Sequence, residues 1–283
     1  MSEQIDRAIE WGRARCTEIS ETAKLDAELL LAHCIGKSRS YLYTWPEELL
    51  KTADWQRFQA LIGRRLEPTP IAYLLGEREF FSLSLKTSPA ALVPRAETEL
   101  LVETTLALCS RQAETNLLEL GTGTGAIAIA LKVHCPTINI IATDISTDCL
   151  ALAQQNADSH RLIIDWVASD WFSHVDGRFD IIVSNPPYIA AADPALKEGD
   201  LPAEPWLALS PGPSGLEALQ NIIAAAPGYL NPGGYLLLEH GFDQQAEVET
   251  LMRNHGFTHI NCKQDLHGLP RVSLGKVDLA TPD

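Results

Sequence analysis

The pattern of hydrophobic and polar positions changes twice along the chain. Up to residue 75, the hydrophobic positions recur three or four residues apart, a spacing that places them on one face of a helix. Short helices with such faces are expected to pack against one another in a small N-terminal bundle. The positions that carry the spacing are Ile5, Ala8, Ile9 and Gly12, then Leu25, Leu29, Leu30 and His33, then Trp55, Phe58, Leu61 and Ile62.

The second pattern lies between residues 76 and 95, where short strand-like segments at 80–85 and 91–93 flank a Ser-Pro turn. Alternating residues beside a turn signal predict a hairpin. The switch from helical to strand-like spacing marks the expected domain boundary. We therefore predict a helical N-terminal domain at 1–75, a hairpin linker at 76–95 and a larger domain at 96–283.

In the third pattern, beyond residue 96, strand-like and helix-like segments alternate after an amphipathic helix that ends near Leu108. This order predicts an α/β fold, a doubly wound seven-stranded sheet with helices on both faces. The expected strands are 117–120, 138–143, 162–167, 179–184, 235–239, 257–261 and 272–277, and the expected helices are 125–133, 147–157, 215–230 and 244–254.

Composition narrows the class of protein. Of the 283 residues, 46% are hydrophobic, which is enough for a substantial core. The net charge of -15 argues against a nucleic-acid partner and favours a protein partner with a basic surface. Six cysteines without a C-x-x-C pair indicate reduced thiols and no zinc site. No signal peptide or apolar run of membrane-spanning length is present, so we expect a cytoplasmic protein that does not bind membranes.

A glycine turn follows the first strand of the predicted sheet. The turn, Gly121-Thr122-Gly123-Thr124-Gly125, leads directly into an apolar helix. Glycines at such a place allow a ligand to approach the backbone at the helix N-terminus, and with Ala126 the turn also satisfies the dinucleotide pattern. Asp144 ends the next strand, where a carboxylate can hold two ribose hydroxyls. Asp170 and Trp171 end the third strand and are candidates for an adenine amino group and ring.

A polar, proline-rich stretch, Ser184-Asn185-Pro186-Pro187-Tyr188, ends the fourth strand. Two consecutive prolines stiffen the backbone and leave its carbonyls free to accept hydrogen bonds. The Asn185 side-chain oxygen and a neighbouring carbonyl can accept both hydrogens of an NH2 group, and Tyr188 offers a flat face to a planar amide or base. The segment 190–213 that follows has no clear period, and we expect it to form a lid or substrate-binding loop.

This combination resembles the S-adenosylmethionine-dependent amino methyltransferases. More narrowly, it resembles the HemK/PrmC family, which methylates the side-chain amide of the glutamine in the Gly-Gly-Gln loop of class 1 peptide-chain release factors. At position 96 this chain has alanine where the family commonly has proline. The matching residues are Tyr73 to Gly76, Phe80, Pro94, Arg95, Glu97 to Glu99, Glu119 to Gly125, Asp144, Asp170, Trp171, Asn185 to Tyr188, Glu204, Pro205, Ala208, Leu209, Gly233, Gly234, Glu239, Asp265, Gly268 and Arg271.

The resemblance implies a fold and a set of roles. The sheet would be of the class I S-adenosylmethionine methyltransferase type, with S-adenosylhomocysteine as product. We also expect no metal, a monomeric enzyme, and an N-terminal bundle that contacts the release factor, because a single glutamine cannot alone confer specificity. The turn 121–125 would pass beneath the methionine part of the cofactor, Asp144 would bind the ribose, and Trp171 would border the adenine. Glu119 would meet the cofactor's ammonium group or order the glycine turn.

The same resemblance assigns the substrate glutamine to Asn185, Pro186, Pro187 and Tyr188. An amide nitrogen is a poor nucleophile, so we expect catalysis by geometry: Asn185 and the Pro186 carbonyl accept the amide hydrogens while Tyr188 stacks on the amide plane. Three alternatives stay open from sequence. They are a DNA adenine methyltransferase acting on the exocyclic amino group, a dinucleotide-dependent oxidoreductase, and a binding module with a vestigial cofactor site.

Overall fold

The computed structural model describes residues 3–109 and 115–278. The chain divides into two compact units. The first contains Met1–Glu77 and Lys197–Glu204, and the second contains Arg78–Leu196 and Pro205–Asp283. The functional division at residues 75 and 95 stays a prediction.

The predicted N-terminal helical bundle is confirmed. Three of its helices, α1, α2 and α4, pack against one another, and Phe58 and Ile62 are fully buried among them. Gly12 allows the close approach, because an added Cβ would lie 2.8 Å from Phe58 Cζ and 3.0 Å from Ala27 Cβ. The helices are α1 Ile5–Cys16, α2 Ala23–Ile35, α3 Arg39–Thr44, α4 Thr52–Leu66 and α5 Ile71–Leu75.

A buried charge cluster lies in the same unit. Arg65 of α4 donates through Nε to Asp26 Oδ2 at 2.9 Å and through Nη1 to Asp200 Oδ1 at 2.6 Å. The Arg65 and Asp26 side chains are each only 5% exposed. Asp200 comes from the 190–213 segment, so one stretch of that segment is anchored by an ion pair.

A hairpin is present, but it is not the predicted one. Its strands are β1 Glu77–Phe80 and β2 Leu83–Lys86, so its turn falls inside the expected strand at 80–85 rather than at the Ser-Pro sequence. Its two turn residues, Phe81 and Ser82, both have positive φ, as the turn of a two-residue hairpin requires. The expected strand at 91–93 is wrong. Those residues do not form a strand, and Ala91 packs against a helix of the second unit.

The large sheet has the predicted seven strands, in the order β5-β4-β3-β6-β7-β9-β8. Strands β3 to β7 are parallel, and β9 is antiparallel to both of its neighbours. The strands are β3 Asn116–Leu120, β4 Asn139–Asp144, β5 Asp165–Ala168, β6 Phe179–Ser184, β7 Leu230–Glu239, β8 Phe257–Gln264 and β9 Pro270–Val277.

Helices cover both faces of this sheet, and each face has its own buried core. One core includes residues of α6 and α7, and the other includes residues of α10 and α11. The predicted α/β architecture is therefore confirmed. The helices are α6 Thr98–Cys109, α7 Ala126–His134, α8 Thr147–Ser159, α9 Trp206–Leu209, α10 Glu217–Tyr229 and α11 Gln245–Asn254.

Among the strand starts, those of β5 and β7 differ most from expectation. Strand β5 begins at Asp165 rather than 162, because the preceding Ile163 is 87% exposed and Asp165 is the first residue to pair with β4. Strand β7 begins at Leu230 rather than 235, since Leu230 already pairs with Phe179 and a register shift carries the strand through the Pro-Gly-Gly sequence.

The 190–213 segment contains two single 3-10 turns, Pro194–Lys197 and Leu201–Ala203, and the short helix α9. In the described part of the chain, no helix is both long and apolar enough to cross a membrane. The strand order of the large sheet reverses between β3 and β6, and open α/β sheets bind ligands outside the carboxyl ends of their strands at such a point.

Candidate active site

A cavity of about 410 Å³ lies at this point of the second unit. Its size is within the range of small-molecule sites. Nine of the predicted site residues line it: Gly121, Thr122, Gly123, Thr124, Asp144, Asp170, Trp171, Asn185 and Pro187. The other four, Glu119, Gly125, Pro186 and Tyr188, are not part of its wall. The strand ends thus bring together the glycine turn, the acidic residues and the proline-rich loop.

The glycine turn is held from below by Glu119, which is 1% exposed. Its Oε2 atom accepts hydrogen bonds from Thr122 Oγ1 at 2.9 Å and from the Ala128 amide at 3.0 Å. Burial raises the pKa of Glu119 to about 8, against the effect of these two hydrogen bonds. Glu119 therefore holds Thr122 and the start of α7, and its predicted role toward the cofactor's ammonium group stays a prediction.

The turn itself requires glycine, since Gly121, Gly123 and Gly125 have φ values of 70°, 56° and 81°. At Gly125, which precedes α7, an added Cβ would also lie 3.0 Å from Ala153 Cβ. Gly121 and Gly123 line the cavity, and an added Cβ on either would have no neighbour closer than 3.8 Å. The backbone at these two positions is thus open to a ligand.

Asp144 ends β4 at the cavity and is 9% exposed. Its Oδ2 accepts from the Gly123 amide at 2.8 Å, and its Oδ1 accepts from the Ser146 amide at 2.9 Å. Burial raises its pKa, while these backbone hydrogen bonds act in the opposite direction. The carboxylate is thus fixed at the cavity, where its remaining acceptor positions can accept from neighbouring hydroxyls.

Trp171 also lines the cavity, close to the glycine turn. An added Cβ on Gly121 would lie 3.8 Å from Trp171 Cζ3. Trp171 has a positive φ of 48°, which is unusual for a bulky residue, and its carbonyl accepts from Ser169 Oγ at 2.9 Å. Backbone strain of this kind persists only where the surrounding structure enforces it, and it is often found at functional sites. Asp170 is exposed and lines the same cavity.

Asn185 follows β6 and lies at the cavity with Pro187. Its Nδ2 atom donates to Thr98 Oγ1 at 3.0 Å, a hydrogen bond between residues 87 positions apart in sequence. This hydrogen bond occupies one hydrogen of the Asn185 NH2 group, and Oδ1 is left as the acceptor end of the side chain. Thr98 is the first residue of α6, and the structure makes it a partner of Asn185.

Known proteins resemble the chain over nearly its whole length. Residues 7–76 match the PrmC N-terminal domain and residues 96–198 match the methyltransferase small domain. The release factor glutamine methyltransferase of Shewanella oneidensis is 42% identical over 274 residues, which is 96% of each chain. That of Pseudomonas aeruginosa is 47% identical over 261 residues, or 91% of this chain and 94% of the relative.

The chain belongs to the release factor glutamine methyltransferase family. A solved methyltransferase from Pyrococcus furiosus has the same fold, with a TM-score of 0.54, 20% identity, and coverage of 78% of this chain and 98% of that one. The predicted family and the predicted class I methyltransferase fold are thus confirmed.

In this family member, Tyr188 is held behind the cavity wall rather than in it. Its hydroxyl donates to Glu239 Oε1 at 3.3 Å, and its carbonyl accepts from Gln244 Nε2 at 3.0 Å. Burial, followed by the charge of Glu239, raises its pKa, so the phenol stays protonated. The predicted stacking of Tyr188 on the target amide stays a prediction.

Glu239 lies beside the site but was not among the predicted site residues. It ends β7, is 1% exposed, and its Oε2 has no hydrogen-bond partner within the described residues. Burial raises its pKa to about 7, while hydrogen bonds from Thr98 and Tyr188 and the positive charge of Arg271 act in the opposite direction. The available signal was its position in the sequence. Glu239, like Asp144 and Glu119, is an acidic residue at or next to the end of an apolar strand.

The residues of the cavity fit S-adenosylmethionine. The open backbone of the glycine turn can pass beneath a flexible chain, the fixed Asp144 carboxylate suits a ribose diol, and the indole ring of Trp171 suits contact with a planar base. No group of three metal-ligating side chains occurs in residues 3–109 and 115–278. The arrangement therefore offers a nucleoside site that is continuous with the amide of Asn185.

Proposed function

We propose that this protein transfers a methyl group from S-adenosylmethionine to the side-chain amide nitrogen of the glutamine in the Gly-Gly-Gln motif of class 1 release factors. One observation carries the proposal. The Asn185 amide, fixed by Thr98, opens into the same cavity as the glycine turn and Asp144. An acceptor for an NH2 group and a nucleoside site thus share one enclosure, as methyl transfer between their ligands requires.

The proposed cofactor contacts follow from the geometry. The turn 121–125 cradles the methionine part, Asp144 accepts from the ribose hydroxyls, and Trp171 covers the adenine, with Asp170 near its amino group. Glu119 acts from beneath by holding Thr122. When bound, the cofactor supplies an electrophilic methyl group on sulfur and leaves as S-adenosylhomocysteine.

The chain's own contribution is orientation of the glutamine amide. Asn185 Oδ1 and the Pro186 carbonyl accept its two hydrogens, which holds the nitrogen lone pair toward the methyl group and weakens its delocalisation. The consecutive prolines keep both acceptors in place without induced movement. Tyr188 supports the loop through its hydrogen bond to Glu239.

An Asn185→Ala variant tests this role. Removing a preorganised hydrogen-bonding group that acts in the transition state typically lowers kcat about 100- to 1,000-fold. We expect a loss of at least this size, with cofactor affinity changed much less, because Asp144 and the glycine turn are untouched. Asn139→Ala makes the same change at the first residue of β4, outside the cavity wall. It is the matched control and should retain full activity. Near wild-type turnover by Asn185→Ala would contradict the proposal.

Family membership favours the release factor over DNA as substrate, in line with the net charge of -15. We further propose that the N-terminal domain at 1–75 binds the release factor and that the enzyme acts as a monomer. Retained selectivity after deletion of residues 1–75 from a folded enzyme would contradict the first point, and a dimer mass in solution would contradict the second.

A further inference from the structure

We propose that Thr98 and Glu239 form a positioning relay that sets the orientation of the Asn185 amide, and that the relay requires Glu239 in its ionised form. The inference rests on the proposed function and adds a control element to the same site. Neither residue is a catalytic residue here, because both act on the substrate only through Asn185.

The relay consists of four polar residues from three parts of the second unit: Thr98 of α6, Glu239 of β7, and Asn185 and Tyr188 of the loop after β6. Asn185 Nδ2 lies 3.0 Å from Thr98 Oγ1, and Tyr188 Oη lies 3.3 Å from Glu239 Oε1. The Thr98 hydroxyl also hydrogen-bonds the Glu239 carboxyl. Thr98 is 4% exposed and Glu239 is 1% exposed, so water does not compete for these contacts.

The direction of each hydrogen bond follows from a count of protons. A threonine hydroxyl has one hydrogen to donate. When Thr98 donates it to an ionised Glu239, the Thr98 oxygen can only accept, and its partner on Asn185 must be the NH2 end. The Asn185 oxygen is then left to accept from the target amide. A charge on Glu239 thus determines, two hydrogen bonds away, which end of Asn185 is the acceptor.

Protonation would remove this constraint. The Oε2 atom has no partner within the described residues, so it can take a proton without breaking an existing hydrogen bond. The neutral carboxyl is a weaker acceptor, and the Thr98 hydroxyl can then turn and donate to Asn185 instead. An amide that accepts from Thr98 presents its NH2 end to the target, where two donors would face each other.

The groups around Glu239 place this change near neutral pH. Burial raises its pKa to about 7. Arg271 on β9 favours the ionised form, and Glu97 before α6 opposes it. Tyr188 stays protonated because its own pKa is raised, so it donates over the whole range. Activity should therefore be highest above the pKa of Glu239 and should fall as pH is lowered through about 7.

Three variants separate the relay from simple packing. Thr98→Ser keeps the hydroxyl, Thr98→Val keeps the shape without it, and Glu239→Gln keeps the shape without the ionisation. Single-turnover methyl transfer to a folded release factor is measured across a pH series, beside cofactor affinity and thermal stability. We expect Thr98→Ser to resemble the wild type and Thr98→Val to be at least about tenfold slower with cofactor affinity nearly unchanged.

The pH profile gives the decisive difference. The wild-type rate should rise through about pH 7, and Glu239→Gln should lack this limb. A merely structural role would lower stability without removing the limb. Thr98→Val within twofold of the wild-type rate, or an unchanged acid limb in folded Glu239→Gln, would overturn the relay.

A second readout needs no substrate. The side-chain NH2 resonance of Asn185, assigned by its loss in Asn185→Ala, should shift with a midpoint near pH 7 in the wild type and not in Glu239→Gln. A wild-type resonance insensitive to pH would overturn the relay by itself. Wild-type enzyme that methylates no release factor at any pH would instead refute the proposed function, and the resonance would still decide on the relay.

Discussion

Asp144→Asn is the change that tests the cofactor site most narrowly. The aspartate has both oxygens fixed by backbone amides, Oδ2 by Gly123 at 2.8 Å and Oδ1 by Ser146 at 2.9 Å. Asparagine has the same shape but replaces one oxygen with NH2. One backbone N–H then faces another donor, and one acceptor for the ribose is lost together with the negative charge.

The magnitude follows from the hydrogen bonds that change. A hydrogen bond to a charged group contributes about 1.5–3 kcal/mol, and every 1.4 kcal/mol is tenfold in affinity. One ribose hydroxyl would lose its charged acceptor, and the hydrogen bond of the other hydroxyl would become weaker. Together these changes should reduce S-adenosylmethionine affinity about 10- to 100-fold. The mismatch with the Gly123 or Ser146 amide should also lower the free energy of unfolding by about 1–3 kcal/mol.

Isothermal titration calorimetry with S-adenosylmethionine measures the affinity directly. Asp148→Asn is the matched control, since it makes the same chemical change at an exposed residue in the first turn of α8, outside the cavity wall. Its affinity should equal that of the wild type. A folded Asp144→Asn protein that binds the cofactor within about threefold of the wild type would refute the assignment of Asp144 to the ribose.

Three further changes test the fold and its ionisation. Gly12→Ala should lower the free energy of unfolding in urea by about 1–2 kcal/mol, because overpacking against Phe58 exceeds the gain of about 1 kcal/mol in helix propensity, whereas Gly63→Ala in open space should be stabilising. Arg65→Met should cost about 3–5 kcal/mol, since two acidic partners lose their counter-charge; an unchanged unfolding midpoint would contradict this. Burial raises the pKa of Glu119 to about 8, above its unfolded value, so its stabilising contribution is present at low pH and is lost as pH rises. Relative to Glu119→Gln, wild-type stability should fall by about 1.4 kcal/mol per pH unit between the unfolded and folded pKa values, and parallel curves would rule this out.

Local patterns were enough to predict most of the sheet. Strand β6 was located because an apolar run ends abruptly at Asn185 and the prolines, and β3 because glycines follow it directly. The start of β7 was missed because proline and two glycines normally interrupt a strand, whereas here a register shift accommodates them. The expected strand at 91–93 failed because Ala91 is apolar for packing against Cys149 and Leu152, not for pairing.

The cavity was predictable as far as its residues follow strands directly. Asp144, Trp171 and Asn185 each come at a strand end, and parallel strands bring such ends to one edge of the sheet. The Thr98 and Glu239 contacts could not be predicted, because they join segments far apart in the chain whose mutual distance depends on packing. The spacing of apolar residues indicates which face of a helix or strand is buried. It does not indicate which polar side chains form hydrogen bonds with each other inside the protein.

The most direct measurement is transfer of labelled methyl from S-adenosylmethionine to a purified, folded class 1 release factor. The controls are the same factor with alanine in place of its Gly-Gly-Gln glutamine, and unmethylated duplex DNA. We predict label on the unmodified factor alone, on the amide nitrogen of that glutamine. Equal labelling of the alanine-substituted factor, label on DNA, or no label on any of the three with folded, cofactor-binding enzyme would contradict the proposed function.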